Sequence, residues 1–138
     1  MRVLGFIFAV MLSVAFGPMG AFAQTGINPP PNPIRFYADL TSLEEPHMVI
    51  SDAKGRADFT LDRETLEFKW KITFSGLSSP AIGAHLHGPQ RPGTFGAILY
   101  DIAPNGVKSP LEGSQILKDG EVEYLMSGRI YVNIHTTK

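Results

Sequence analysis

An unbroken alternation of apolar and polar residues runs from Thr65 to Ser75. Leucine, phenylalanine, tryptophan and isoleucine occupy every second position, and threonine, glutamate, lysine or serine fill the positions between them. Successive side chains of a β-strand point to opposite faces, so this period of two predicts a strand with one buried and one solvated face. Asp62-Arg63-Glu64, just before it, is predicted to form the hairpin turn from the preceding strand.

Six further segments are predicted to be strands, because they are short, rich in alternating or β-branched residues and bounded by turn residues. The chain contains 14 Gly and 11 Pro, and no stretch has the sustained apolar period of a long helix. Residues 118–127 are ambiguous, and Gly120–Met126 fits one helical turn. We therefore predict an all-β fold, a two-sheet antiparallel sandwich of seven strands. The other predicted strands are Ile34–Leu43, Gly55–Asp62, Ile82–His87, Phe95–Ile102, Leu111–Leu117 and Arg129–Thr136.

The first 23 residues are predicted to be a signal peptide rather than part of the fold. An arginine precedes an apolar run to Phe16 that is too short to cross a bilayer comfortably, and Ala21-Phe22-Ala23 forms a cleavage site. We expect cleavage before Gln24, a secreted or periplasmic location, and no membrane span afterwards. The mature chain then has a Pro-rich lead-in, residues 24–33, followed by one domain, residues 34–138.

The charge and the cysteine content exclude several classes of function. Twelve basic and thirteen acidic residues give a net charge of −1, so the chain lacks the basic surface that nucleic-acid binding requires. Without cysteine, it cannot form disulfides, thiolate metal sites or a thiol nucleophile. It also has no Gly-x-Ser-x-Gly elbow and no phosphate-binding loop, which leaves histidine as the informative residue type.

Three of the four histidines are predicted to converge on one face of the sandwich. His85 and His87 form a His-x-His pair, and residues two apart on a strand share a face. His135 lies opposite the apolar residues of its own strand, as the pair does on its strand. If the two strands are neighbours, the imidazoles meet on the outer surface. Neutral imidazoles suit Cu(II) or Zn(II), and three of them leave a fourth position for water or an exogenous ligand.

Simpler interpretations of these histidines stay open. A strand histidine often only donates to a backbone carbonyl or stabilises a turn, and Leu86-His87-Gly88-Pro89 leads directly into one. No acidic residue lies within the His-x-His segment to accept a hydrogen bond from a metal-bound imidazole. The fourth histidine, His47, is close to Glu44 and Glu45, but a solvated loop explains this cluster more simply than a metal site does.

Two motifs resemble the signature of the CHRD (chordin-type) domain family. The first is Ala84-His85-Leu86-His87-Gly88-Pro89, with Gly93 and Gly96 after it, and the second is Gly128–Thr136. The similarity extends from about Ile34 to the C-terminus. Supporting matches are Phe36–Leu40, Glu45-Pro46, Gly55–Ala57 and Phe74–Leu77.

The resemblance implies an all-β sandwich that is similar in architecture to copper/zinc superoxide dismutase, an enzyme that also carries an outward-facing His-x-His as copper ligands. Families with this domain include secreted bacterial proteins and the animal chordins, which bind growth factors. We therefore predict a secreted, non-enzymatic binding module that can hold copper or zinc through His85, His87 and His135. Its predicted partner is an extracellular or periplasmic protein or a polysaccharide. The alternative is a copper-dependent oxidoreductase of the superoxide dismutase type.

The resemblance also gives an expectation about the C-terminal strand. Members of the family normally continue after Asn-Ile-His-Thr with a turn and a Gly-Glu-Ile-Arg-Gly strand, whereas this sequence stops at Lys138. Tyr131–Thr136 is therefore expected to form an open edge, and open edges favour the addition of another strand. This predicts either a homodimer through the C-terminal strand or a marginal monomer that is prone to aggregate.

Overall fold

A computed structural model describes residues 5–8, 31–44, 51–90 and 94–137. Its elements are strands β1 (Gly5–Phe8), β2 (Ile34–Thr41), β3 (Lys54–Leu61), β4 (Glu67–Ser75), β5 (Ala81–His87), β6 (Ile98–Asp101), β7 (Leu111–Ile116) and β8 (Tyr131–Thr136), a 3₁₀ turn (Ser42–Glu44) and helix α1 (Asp119–Met126). The first sheet has the order β1-β8-β5-β6 and the second sheet β2-β3-β4-β7. All neighbouring strands are antiparallel, so the predicted all-β sandwich is confirmed.

One face of each sheet contributes to a single apolar core. The alternating strand β4 buries Phe68, Trp70 and Ile72 there and leaves Lys69 and Lys71 in solvent, as its period of two predicts. The two central strands of the first sheet show the same pattern. Their core residues are Ala84 and Leu86 on β5 and Val132 and Ile134 on β8.

Leu66 departs from the predicted alternation, because it precedes β4 and has a left-handed backbone conformation with a φ of 57°. Its carbonyl accepts a hydrogen bond from the Leu117 amide at 3.0 Å. The hairpin turn before it forms where the sequence predicts. There the Asp62 carboxylate accepts hydrogen bonds from the amides of Glu64 and Thr65, both at 2.9 Å. After this turn, β4 begins at Glu67, two residues later than the predicted start at Thr65.

The period of two on the predicted strand Ile82–His87 puts Ile82 on the core face together with Ala84 and Leu86, and this prediction is wrong. The pairing register between β5 and β8 shifts between Ala81 and Gly83, and the Ile82 side chain is 55% exposed. An extra residue at such a bulge leaves the pairing ladder and re-aims its side chain. The bulge leaves the buried pair Ala84 and Leu86 facing the core while Ile82 faces solvent.

Helix α1 is longer than the single turn that the sequence suggests. The Glu121 carboxylate accepts a hydrogen bond from the Lys118 amide at 2.8 Å, which satisfies one of the free donors at the helix start. It also accepts a hydrogen bond from the Tyr100 hydroxyl, which ties the helix to β6. Leu125 anchors the other end in the core. Within the described part of the chain, no helix is long and apolar enough to cross a membrane.

Strand β8 lies between two others, so the open edge that was expected at Tyr131–Thr136 is wrong for the described chain. It pairs with β5 on one side and with β1 on the other, in a register that runs from Gly5 opposite His135 to Phe8 opposite Val132. β1 falls within the segment predicted to be a signal peptide, and residues 9–30 lie outside the described ranges. The homodimer through β8 concerns the mature chain without residues 1–23, and it stays a prediction.

The close approach of β2 and β4 to Gly55 gives a prediction about stability. A Cβ atom at Gly55 would collide with the Thr73 carbonyl oxygen and lie 2.9 Å from Leu40 Cδ1. Because the collision is with backbone, Gly55→Ala should lower the free energy of unfolding by about 1–3 kcal/mol. Gly120→Ala is the matched control, since a Cβ there meets nothing within 4 Å. In urea unfolding, the free energy of unfolding of Gly120→Ala should equal or exceed that of the wild type. Equal losses in Gly55→Ala and Gly120→Ala would contradict the steric explanation.

Candidate metal centre

The His-x-His pair lies on the solvent face of β5. Leu86, between the two histidines, is buried in the core together with Ala84, so His85 and His87 must both point away from it. The centroids of their rings are 5.6 Å apart, with an angle of 73° between the ring planes. One strand therefore places two imidazoles side by side, as the sequence predicts.

His135 completes the cluster from the neighbouring strand. In the antiparallel register of β5 and β8 it lies opposite Gly83, and its ring centroid is 4.8 Å from that of His85 and 5.9 Å from that of His87. One ring nitrogen from each histidine lies within 4.8 Å of one from each of the others. The His85 and His135 rings both lie next to Gly83, where an added Cβ would be in ordinary contact with them, 3.4 Å from His85 Cε1 and 3.8 Å from His135 Cδ2. The structure thus brings together all three histidines that the sequence singles out.

A backbone carbonyl fixes the orientation of His87. Its Nδ1 lies 3.0 Å from the carbonyl oxygen of Gly96, which can only accept, so Nδ1 carries the proton and donates. This is the modest role that strand histidines often have, but it leaves Nε2 with a free lone pair. Metal-binding histidines commonly donate their second ring N–H to a carbonyl in this way. The bond therefore leaves His87 Nε2 as the unprotonated ring nitrogen.

The loop that carries Gly96 also covers His87. The Gly96 amide donates a hydrogen bond to the Tyr131 hydroxyl at 2.7 Å, and the Tyr131 ring stacks on the His87 ring at 5.1 Å between centroids. As a result His87 is only 7% exposed, whereas His85 and His135 are half-buried. The sequence places the cluster on the outer surface. The structure agrees on the face but encloses the rings more than expected, because a distant loop folds over them.

Three ring nitrogens of the cluster are buried without a hydrogen-bond partner. They are Nδ1 of His85, Nε2 of His87 and Nε2 of His135. An unsatisfied buried polar atom costs roughly 1–3 kcal/mol, so three in one place call for a ligand that satisfies them together. A divalent cation that prefers imidazole does so, and the residues present fit copper or zinc.

The cluster favours neutral imidazoles. Burial, together with the neighbouring charges of His85 and His87, lowers the pKa of His135 to about 4. Burial also lowers the pKa of His87, although the bond to Gly96 opposes this change. A neutral imidazole is the form that binds a metal, so both side chains are ready to bind at neutral pH.

These pKa changes predict how the stability of the metal-free protein depends on pH. His135 titrates near pH 4 in the folded state and near its ordinary value of 6.5 in the unfolded state. Between these values the unfolded chain binds more protons, so stability should fall as the pH drops from about 6.5 to 4. We expect a loss of about 1–2 kcal/mol, less than the full shift implies because the ring is partly solvated. Urea unfolding in EDTA measures it.

The control for this pH dependence is His135→Asn, which removes one of the two shifted groups. The decline between pH 6.5 and 4 should be smaller in this variant than in the wild type, although His87 still contributes. Identical pH profiles for the two proteins would contradict the assignment to His135.

Sequence reasoning missed three residues around the histidines. Tyr131 could have been found, because it shares the parity of His135 on β8. Gly96 and Asp101 could not, since their places depend on how β6 and the preceding loop pair with β5. In the structure Asp101 lies opposite His85 in the β5–β6 register. His47 and Glu45 lie outside the described residues, and of Glu44 only the backbone is described.

A wider groove of about 790 Å³ crosses the outer face of the second sheet. Most of its charged side chains form ion pairs. Arg56 bonds Asp39 at 2.9 Å and Asp58 at 3.2 Å, and Lys71 bonds Glu112 at 2.7 Å. These pairs are exposed and describe a solvated network rather than a set of groups waiting for a ligand. The histidine cluster remains the better candidate although its pocket is smaller.

Comparison with known protein families matches most of the sandwich to one of them. The family model of the CHRD domain matches residues 36–138, which include every strand from β3 to β8 and all three histidines. No curated protein and no solved structure is significantly similar to the chain. The architectural likeness to copper/zinc superoxide dismutase therefore stays a prediction. The family match covers well over half of the chain, and the protein belongs to the CHRD domain family.

Proposed function

We propose that this protein is a secreted, non-enzymatic binding module in which His85, His87 and His135 hold one copper or zinc ion. Two observations on the cluster carry the proposal: each of the three histidines has one buried ring nitrogen without a hydrogen-bond partner, and ring nitrogens of all three lie within 4.8 Å of one another. The CHRD domain supports the wider class, because it is a non-catalytic module. The signal peptide predicted from residues 1–23 supports a secreted or periplasmic location.

The choice of metal follows from the donor set. Three imidazoles without a thiolate or a carboxylate among them suit Cu(II) and Zn(II), and Cu(II) has the highest affinity of the divalent first-row metals for such a nitrogen site. Within the chain, Gly96 orients His87 and Tyr131 shields it from water. Three protein ligands leave one coordination position for water or an outside ligand.

The alternative function is a copper-dependent oxidoreductase. One observation favours it: a pocket of about 470 Å³ opens beside His85 and His135, so a small molecule can approach the cluster. Access alone does not produce catalysis, because a redox enzyme also has to stabilise both oxidation states of its metal. Metal titration and a superoxide assay on the same purified protein distinguish the two functions.

The test uses the mature chain, exported by a bacterial host and purified without chelator. Mass spectrometry should find Gln24 at its N-terminus, and an intact Met1 on a membrane-embedded product would contradict secretion. Titration with Cu(II) and Zn(II) at pH 7 should give one ion per chain. Failure to bind either ion stoichiometrically would overturn the proposal. A superoxide assay of the copper-loaded protein should give no more activity than the same amount of free copper, and higher activity would establish the alternative.

A further inference from the structure

The open side of the histidine cluster is a pocket with an unusual lining. His85 and His135 form one wall, and the exposed side chains of Ile82 and Ile98 lie at its rim, 55% and 57% exposed. The only charged side chain that lines it is that of Asp101. No lysine or arginine lines the pocket, and no ion pair to Asp101 occurs among the described residues. A ligand that reaches the open coordination position therefore meets two apolar side chains and one carboxylate.

The backbone holds Asp101 in place. It ends β6 directly opposite His85, and its Oδ1 accepts a hydrogen bond from the Ala103 amide at 2.9 Å. One carboxylate oxygen is thus used to position the side chain, while the carboxylate retains further lone pairs for another donor. A carboxylate beside a metal position disfavours anions there and favours ligands that carry an N–H group.

On the basis of the proposed function, we propose that the fourth position takes an imidazole-bearing ligand and that Asp101 is the residue that selects it. A metal-bound imidazole keeps a second ring N–H that needs an acceptor, and Asp101 provides one. The flat faces of the ring match the apolar rim of Ile82 and Ile98. A small anion such as azide carries no N–H to donate and is repelled by the carboxylate. The site therefore discriminates in favour of a neutral nitrogen donor and against anions.

The experiment titrates the copper-loaded mature protein with imidazole and with azide, and follows the visible absorption and the electron paramagnetic resonance spectrum of Cu(II). Asp101→Asn keeps the oxygen that binds the Ala103 amide but removes the charge. It should weaken imidazole binding about tenfold, the size of effect that groups behind a metal ligand commonly have, and should strengthen azide binding. Asp39→Asn, the same change on the exposed face of β2, is the matched control and should alter neither affinity.

The imidazole can come from a histidine of a partner protein or from a small molecule. To distinguish these sources, the copper-loaded protein is also titrated with a short peptide that contains one histidine. Tighter binding of the peptide than of free imidazole assigns the position to a histidine of a partner protein, and equal binding assigns it to small imidazoles. If Asp101→Asn leaves both affinities unchanged while one copper per chain stays bound, the inference about Asp101 is overturned and the proposed metal site stands. If the wild type binds no copper, the proposed function itself fails.

Discussion

Replacing His85 and His87 together by alanine should abolish stoichiometric binding of Cu(II) and Zn(II) at about pH 6.5–8. In this range the imidazoles are neutral and able to bind, so a loss reflects the missing ligands rather than protonation. The variant keeps only His135, and a single imidazole does not hold a divalent ion in competition with a chelator. Isothermal titration calorimetry and elemental analysis after dialysis against a weak chelator measure the effect.

The matched control for this experiment changes another pair of residues at the same spacing. Lys69 and Lys71 lie two apart on β4 and project from an outer face, 60% and 63% exposed, so the Lys69→Ala/Lys71→Ala variant should bind one ion as the wild type does. Without metal, the histidine variant loses the His87–Gly96 hydrogen bond and the stacking on Tyr131, but it also loses two buried nitrogens that lack a partner. These effects oppose each other, so its free energy of unfolding should lie within about 2 kcal/mol of that of the wild type. Undiminished binding in the histidine variant would refute the site.

The second large effect concerns the core. Phe68→Ala should lower the free energy of unfolding by about 3–5 kcal/mol, a large share of the stability of an ordinary domain. Phe68 is 1% exposed and lies between two other rings, stacked on Phe59 at 5.1 Å and edge-on to Phe36 at 6.4 Å. Its removal leaves a cavity lined by rigid neighbours on β2 and β3, which cannot collapse to fill the space.

Chemical denaturation of both proteins measures this loss, and Phe95→Ala provides the control. The Phe95 side chain is 62% exposed, so its removal creates no enclosed cavity and should cost less than about 1 kcal/mol. Similar losses for the two substitutions would show that burial in the core does not determine the cost.

The strands could be predicted from the sequence because their signal is local. The period of two from Leu66 to Phe74 gives β4 and its buried face, and the same parity argument puts His85 and His135 on one face of the first sheet. The exceptions depend on backbone geometry that parity does not contain. Leu66 adopts a left-handed conformation, and a bulge turns Ile82 outward.

The immediate surroundings of the histidines could be predicted only in part. The three ligand candidates follow from strand parity once β5 and β8 are assumed to be neighbours. Strand parity does not predict the carbonyl of Gly96, because any residue can offer a carbonyl. It does not predict the carboxylate of Asp101 either, because the pairing of β6 with β5 is set by long-range packing. Sequence patterns therefore locate the candidate ligands better than the groups that orient them.

In the proposed metal site, the division of the three histidines between β5 and β8 would determine when during synthesis a chain can bind its ion. β8 follows every other described strand, so during synthesis His85 and His87 emerge well before His135. Until β8 docks beside β5, only a two-ligand site is available, and its hold on an ion is weak. Firm capture therefore coincides with the completion of the fold, and the ion that is loaded is the one available where the chain finishes folding. The metal supply of that compartment, rather than intrinsic affinity alone, then decides between copper and zinc.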